Sequence, residues 1–198
     1  MEALITPHVD LLYPAADAIR DASALARTDR RRSMEILNGI FRAGQPPDPP
    51  LDGETDGALL ALDVAPGLTQ VFTALAHAWM PWQGKIFAAR AASGINRFSK
   101  DSLFLAQVFW PLYRGYEKTE PGAYRAFTFK TYLGPGLSDP DRQVLKLDYN
   151  LSFNPSATIR RVLDELVQVE DGLYLGKAHM HWWWGRWQCV AYFQLVRK

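Results

Sequence analysis

The groups in this 198-residue chain that could do chemistry are few and scattered. His179-Met180-His181 puts two imidazoles two residues apart, which on a strand places them on one face, as in some metal sites. His77 is the available third ligand. No Cys or carboxylate stands beside them at metal-ligand spacing and no His-Glu-x-x-His motif occurs, so no stoichiometric transition metal is expected. Nucleophilic catalysis has less support still. There is no Gly-x-Ser-x-Gly elbow. The single cysteine, Cys189, lies in the strand-like Gln188-Cys189-Val190-Ala191, a setting that suits a buried, inert thiol. Asp164-Glu165 and Glu170-Asp171 are adjacent carboxylates, and neighbours on a strand face opposite ways, so neither pair reads as an acid/base dyad. Arg30-Arg31-Arg32 reads as a solvated helix start, and Gly134-Pro135-Gly136 as a turn rather than a phosphate loop. No reaction is legible in these residues.

The elements that would have to position a site are clearer. Residues 14–43 carry apolar residues at helical spacing, with Pro14 suited to a first turn and Asp29 to capping a second helix. Four prolines within Pro46-Pro47-Asp48-Pro49-Pro50 mark an extended linker. The expected division is therefore a helical segment with a Pro-rich linker over 1–50, then one main domain over 51–198. Residues 57–63 read as a buried strand, 67–79 as a helix with Leu68, Val71, Phe72, Leu75 and Trp79 on one stripe, 84–91 as a strand, and 101–112 as a second apolar helix.

Beyond residue 122 the period changes to two. Tyr124–Tyr132 and Val144–Asn150 alternate, a short helical turn follows Asn154-Pro155, and 165–169 is a strand. Asp171-Gly172 signals a hairpin, and 173–182 and 188–196 are the last two strands. A meander with regular turns predicts an α+β protein built on an antiparallel β-barrel. One strand face carries Phe127, Phe129, Leu145, Leu147, Tyr149, Ala178 and Met180. The other carries Lys130, Lys146, Asp148, Lys177, His179 and His181. The apolar face is expected inside and the polar face in water.

Composition narrows the function classes. The net charge of +1 supplies no field to hold nucleic-acid phosphates. No stretch is long and apolar enough for a membrane helix, the first residues do not read as a signal peptide, and a lone cysteine makes no internal disulfide, so the cytoplasm is the expected location. Aromatic residues are in excess, with seven Trp, four of them in Trp182-Trp183-Trp184-Gly185-Arg186-Trp187. That cluster is expected to pack between barrel and N-terminal helices; the alternative is an exposed platform for a partner or a sugar.

Trp82-Gln83-Gly84-Lys85-Ile86-Phe87, following a Gly-started strand and a helix, resembles the second part of the lipocalin-like family named for its GXWXG motif. Asp148-Tyr149-Asn150, Arg160-Arg161-Val162, Leu175-Gly176-Lys177 and the ending Tyr192–Arg197 are similar to that family's second domain, in the same order over about two thirds of the chain. Where the family has its first Gly-x-Trp-x-Gly, this chain has Gly57-Ala58-Leu59-Leu60-Ala61, without the Trp or the second Gly. The resemblance implies a calycin-like barrel with an interior pocket for a small apolar molecule, and no established reaction.

The function expected is therefore binding of a small hydrophobic or amphipathic ligand, of lipid, terpenoid or tetrapyrrole class, inside the barrel. An enzyme using the same cavity for acid/base isomerisation, cyclisation or hydrolysis is the alternative, and an interaction module using Trp182–Trp187 is a third reading. The expected ligand-binding residues are Trp82, Lys85, Phe129, Tyr149, Asn150, Arg160, His179 and Met180. Lys85 and Arg160 stand beside family motifs and could meet a ligand carboxylate, with a surface salt bridge as the ordinary alternative. Tyr149 and Asn150 could orient a polar ligand tip.

Overall fold

The computed structural model describes residues 14–63, 82–99, 103, 107, 110–119 and 123–198. Among these residues two helices, α1 (Ala15–Leu25) and α2 (Arg30–Ala43), precede nine strands: β1 (Gly53–Leu62), β2 (Trp82–Ala88), β3 (Ser93–Ser99), β4 (Glu117–Lys118), β5 (Ala123–Pro135), β6 (Gln143–Asp148), β7 (Val162–Glu170), β8 (Leu173–His181) and β9 (Trp187–Arg197). All neighbours are antiparallel in the order β3-β2-β1-β9-β8-β7-β6-β5-β4, and β3 also pairs with β5. That last pairing closes eight strands into a barrel, with β4 laid on the N-terminal part of β5. The expected α+β class with an antiparallel barrel is the fold observed. The expected helix at 67–79 and His77 lie outside the described residues, as does most of 101–112, where Leu103 and Gln107 are helical.

Local chemistry explains the elements that were legible. Pro14 precedes α1, and the Asp29 side chain accepts a hydrogen bond from the Arg32 amide at 3.0 Å, capping α2. Asp171 and Gly172 turn β7 into β8, with Gly172 at φ +70°. The β5–β6 ladder runs from Lys130↔Asp148 to Pro135↔Gln143, so it uses the C-terminal half of β5 and only Lys130–Tyr132 of the expected strand. The N-terminal half, Ala123–Lys130, pairs instead with β3, a strand the sequence pattern did not reveal.

Two cores lie back to back across the barrel wall. The inner one gathers Phe87, Phe98, Tyr124, Phe127, Phe129, Leu147, Tyr149, Leu166, Tyr174 and Phe193, with Leu145 and Met180 packed against it half-buried. The apolar face thus points inward as expected. The outer core lies beneath the helices, where Ile19, Leu37, Ile40 and Phe41 meet Leu60, Val144, Val167, Leu175 and Tyr192. Burying each such side chain contributes about 1.5–3 kcal/mol.

Two expectations need correction. The outward polar face is not uniformly solvated, because α2 and the 136–142 turn cover part of it. Lys146, Lys177, His179 and Glu165 are buried there. Lys177 donates to Asn38 of α2 and to Asp139, and Lys146 pairs with Glu165. The tryptophan cluster does not lie between barrel and helices. Trp182 is buried in the inner core, donating to Gln188 at 3.0 Å, while Trp183 and Trp184 are 63% and 59% exposed. The helices cover the outer core instead, and the tryptophan turn lies on another part of the surface.

The motif glycine sets the geometry of β2. Trp82 and Lys85 are three residues apart and on a regular strand would face opposite ways. The β2–β3 register slips by one residue between Trp82↔Phe98 and Gly84↔Arg97, and this bulge turns both side chains inward. Gly84 sits at φ +135°, and a Cβ there would run into the Thr55 carbonyl oxygen. A Cβ on Gly57 would strike the Trp82 ring. The Thr55 hydroxyl serves the Lys85 backbone through the bulge, accepting its N–H at 3.3 Å and donating to its C=O at 2.9 Å. Gly84→Ala should therefore destabilise the fold by about 3 kcal/mol and lower the thermal midpoint by roughly 6–12 °C. An unchanged midpoint in calorimetry would contradict this account of the bulge.

Candidate functional site

Three strands and the residue that follows a fourth converge on one point inside the barrel. β2 supplies Lys85, β3 Asn96 and β7 Asp164, and Tyr149 follows β6. Lys85 and Asp164 are each only 3% exposed at the side chain, and their charged atoms lie 2.9 Å apart. The Lys85 ammonium has three N–H groups and all are used, on Asp164 Oδ2, on Asn96 Oδ1 at 2.8 Å and on the Tyr149 hydroxyl at 2.6 Å. Asn96 Oδ1 also accepts from Trp82 Nε1 at 3.2 Å, and Asn96 Nδ2 donates to the Tyr149 hydroxyl at 3.1 Å. The Tyr149 hydroxyl donates to Asp164 Oδ2 at 3.1 Å. Asp164 Oδ1 has no hydrogen-bond partner among the described residues.

Aromatic rings surround this cluster. Lys85 Nζ lies 5.2–5.3 Å from the ring centres of Trp82, Phe129, Tyr149 and Phe193, within cation–π range. Burial lowers the Lys85 ammonium from its ordinary range, and the Asp164 carboxylate opposes that shift. Burial, with the Asp164 charge, raises the Tyr149 phenol well above its usual range, so it remains a donor.

Beside the cluster lies a recess with a cavity of about 30 Å³. Its wall includes Trp82, Phe98, Phe127, Phe193, Ile159 and Val162. Phe127 holds φ +60°, unusual for an aromatic residue, where the β3–β5 register slips. Side chains satisfy its freed backbone: the Tyr113 hydroxyl accepts its N–H at 2.9 Å, and Asn96 Nδ2 donates to its C=O at 3.0 Å. Asn96 thus ties the strained wall to the polar cluster.

Of the residues expected from sequence, Trp82, Lys85 and Tyr149 line the recess. Phe129 lies behind them, edge-on to Tyr149 at 5.3 Å, and Met180 packs into the inner core without lining the recess. Arg160 and Asn150 bond each other at 3.0 Å away from the recess lining. Asp148 accepts from the Asn150 amide at 2.8 Å. His179 lies outside the barrel wall, buried, with Nε2 3.4 Å from Ser138 Oγ and 3.9 Å from Glu165 Oε2. Its neighbour in the motif, His181, rests its ring against Trp187. Among the described residues no three His, Cys, Asp or Glu side chains are arranged to hold a metal ion.

Sequence reasoning missed Asp164 and Asn96. The rule that adjacent carboxylates diverge is obeyed, since Asp164 meets Lys85 inside and Glu165 meets Lys146 outside. Divergence excludes a dyad but leaves each carboxylate free to pair across the barrel. The signal available was the Asp164-Glu165 pair of carboxylates in the otherwise apolar Val162–Val167 run.

No family model matches the chain, and no curated protein matches it. Its fold is similar to a crystal structure of a protein from Thermomonospora curvata, at 13% identity and a TM-score of 0.50, over 92% of this chain and 99% of that one. At that identity the likeness defines the fold alone, an α+β protein with a closed antiparallel barrel. Among the described residues no helix is long and apolar enough to cross a membrane.

His179 carries a pH signature of its burial. Desolvation, the largest influence, lowers its imidazole below the ordinary 6.5, against the pull of Glu165 and with the aid of Lys177 and Lys146. The unfolded chain therefore takes up this proton first as pH falls, and stability drops as the pH decreases through about 6.5. Urea unfolding between pH 7 and pH 5 should show that loss, and His179→Gln should flatten it. An equal slope in the variant would contradict the assignment.

Proposed function

We propose that the chain binds a small hydrophobic or amphipathic molecule in the barrel recess and acts as a carrier for it. The observation behind this reading is a recess walled by aromatic and aliphatic side chains with its polar groups gathered at one point. Ligand sites commonly have that composition, with an apolar lining that supplies affinity and a few convergent polar groups that fix orientation. The resemblance to the GXWXG family, carried by Trp82, Gly84 and Lys85, points the same way. The cavity of about 30 Å³ is smaller than any of these molecules, so binding requires the aromatic wall to part, which costs least for a slim lipid or terpenoid. A reducing cytoplasm suits the free Cys189.

An enzyme using the same recess is the second reading, favoured by the buried Lys85–Tyr149–Asp164 hydrogen-bond triple. Asp164 would act there as the base and Lys85, whose ammonium pKa is lowered by burial, as the acid. A partner-binding role would use the exposed Trp183, Trp184 and Trp187.

Native mass spectrometry of freshly purified protein is expected to show a retained apolar molecule. Titration with a panel of fatty acids, fatty alcohols and terpenoids should change the tryptophan fluorescence saturably with at least one of them, and Trp82→Phe should remove most of the change. Release of an altered product would favour the enzyme. An empty protein that responds to none of these compounds would overturn the carrier reading.

A further inference from the structure

The saturation of the polar cluster restricts what a guest can bring to it. Lys85 has no N–H left, because its three are held by Asp164, Asn96 and Tyr149. The Tyr149 O–H is given to Asp164, and Asn96 Nδ2 is shared between Tyr149 and the Phe127 carbonyl. Trp82 Nε1 is given to Asn96. Every donor of the cluster is therefore engaged. The unfilled position is an acceptor, Asp164 Oδ1, on a side chain that is 3% exposed and lines the recess.

From this geometry we infer that the recess selects a neutral ligand that donates a hydrogen bond, an apolar alcohol, and that Asp164 Oδ1 accepts the hydrogen bond from its hydroxyl. The inference rests on the carrier reading and sharpens it. It also reverses the expectation that Lys85 would meet a ligand carboxylate.

Charge leads to the same class. Lys85 and Asp164 neutralise each other inside an apolar enclosure. A carboxylate guest would add a second buried anion facing Asp164 with no free cation among the described recess residues to meet it, and an ammonium guest would add an unbalanced cation. Either carries a large desolvation cost. An ether or ester has only acceptors, which would face the acceptor Oδ1. A hydroxyl adds no charge and satisfies the orphaned oxygen, and hydrogen bonds to a charged acceptor are among the stronger ones.

Three probes with one hydrocarbon body separate these cases: geraniol, geranyl methyl ether and geranate. Affinities are read from the tryptophan fluorescence of the intact chain. Geraniol should bind about tenfold or more tightly than the ether, and geranate should bind most weakly. Asp164→Leu combined with Lys85→Met removes both charges together, which keeps the interior neutral and apolar. That double variant should bind geraniol and the ether equally. Equal binding by the unaltered protein, or tighter binding of the ether or geranate, would overturn the alcohol inference while leaving the carrier reading intact. Retention of the alcohol preference in the double variant would overturn the role of Asp164. Failure of all three probes to bind would instead overturn the carrier reading, and the inference with it.

Discussion

The Lys85–Asp164 pair is the constraint around which the barrel interior is organised. Removing two charges from water costs several kcal/mol per ion, on the order of what one pair recovers. Such a pair persists only where its remaining donors and acceptors are matched. Here the matching comes from Asn96 and Tyr149, and it needs β2, β3, β7 and the residue following β6 at fixed positions around one nitrogen. Two irregularities serve that requirement. The bulge at Gly84 turns Lys85 inward beside Trp82, and the bulge at Phe127 gives Asn96 a carbonyl for its amide. The aromatic rings then exclude water and face the ammonium with their electron-rich surfaces.

The same wall carries a second buried polar layer on its outer side. Glu165 pairs with Lys146 and accepts the Leu137 amide at 2.6 Å, while Lys177 joins Asp139 and, through it, Arg42 of α2. The helices therefore dock through apolar contacts and through charges that would be stranded without them. Asp164 and Glu165, adjacent in β7, serve the two layers separately, so one short strand segment links the site to the helical cover.

The periodic features of the sequence translated directly into elements. Helical spacing located α1 and α2, Asp29 marked a cap, and period-two alternation located β5 and β6. Strand β3 escaped because Ser93-Gly94-Ile95-Asn96-Arg97-Phe98 alternates in burial rather than in hydrophobicity, with Asn96 and Gly94 facing in. The buried outer face escaped for a related reason. Lys146, Lys177 and His179 are spaced as on a solvated strand, and only the docking of α2 and the 136–142 turn removes them from water. Trp82, Lys85 and Tyr149 were legible because motifs surround them. Asp164 and Asn96 were not, because their partners lie up to 79 residues away in sequence and meet only when the barrel closes.

The central claim is that Lys85 and Asp164 act as one energetic unit, which a double-mutant cycle measures directly. Urea unfolding of Lys85→Met should show a loss of about 3–5 kcal/mol, the range for a buried charge left without its partner. Adding Asp164→Leu should restore most of that loss, because the second charge goes with the first. If the two substitutions are instead mild and additive, the pair is not coupled, and the interior is not organised around it.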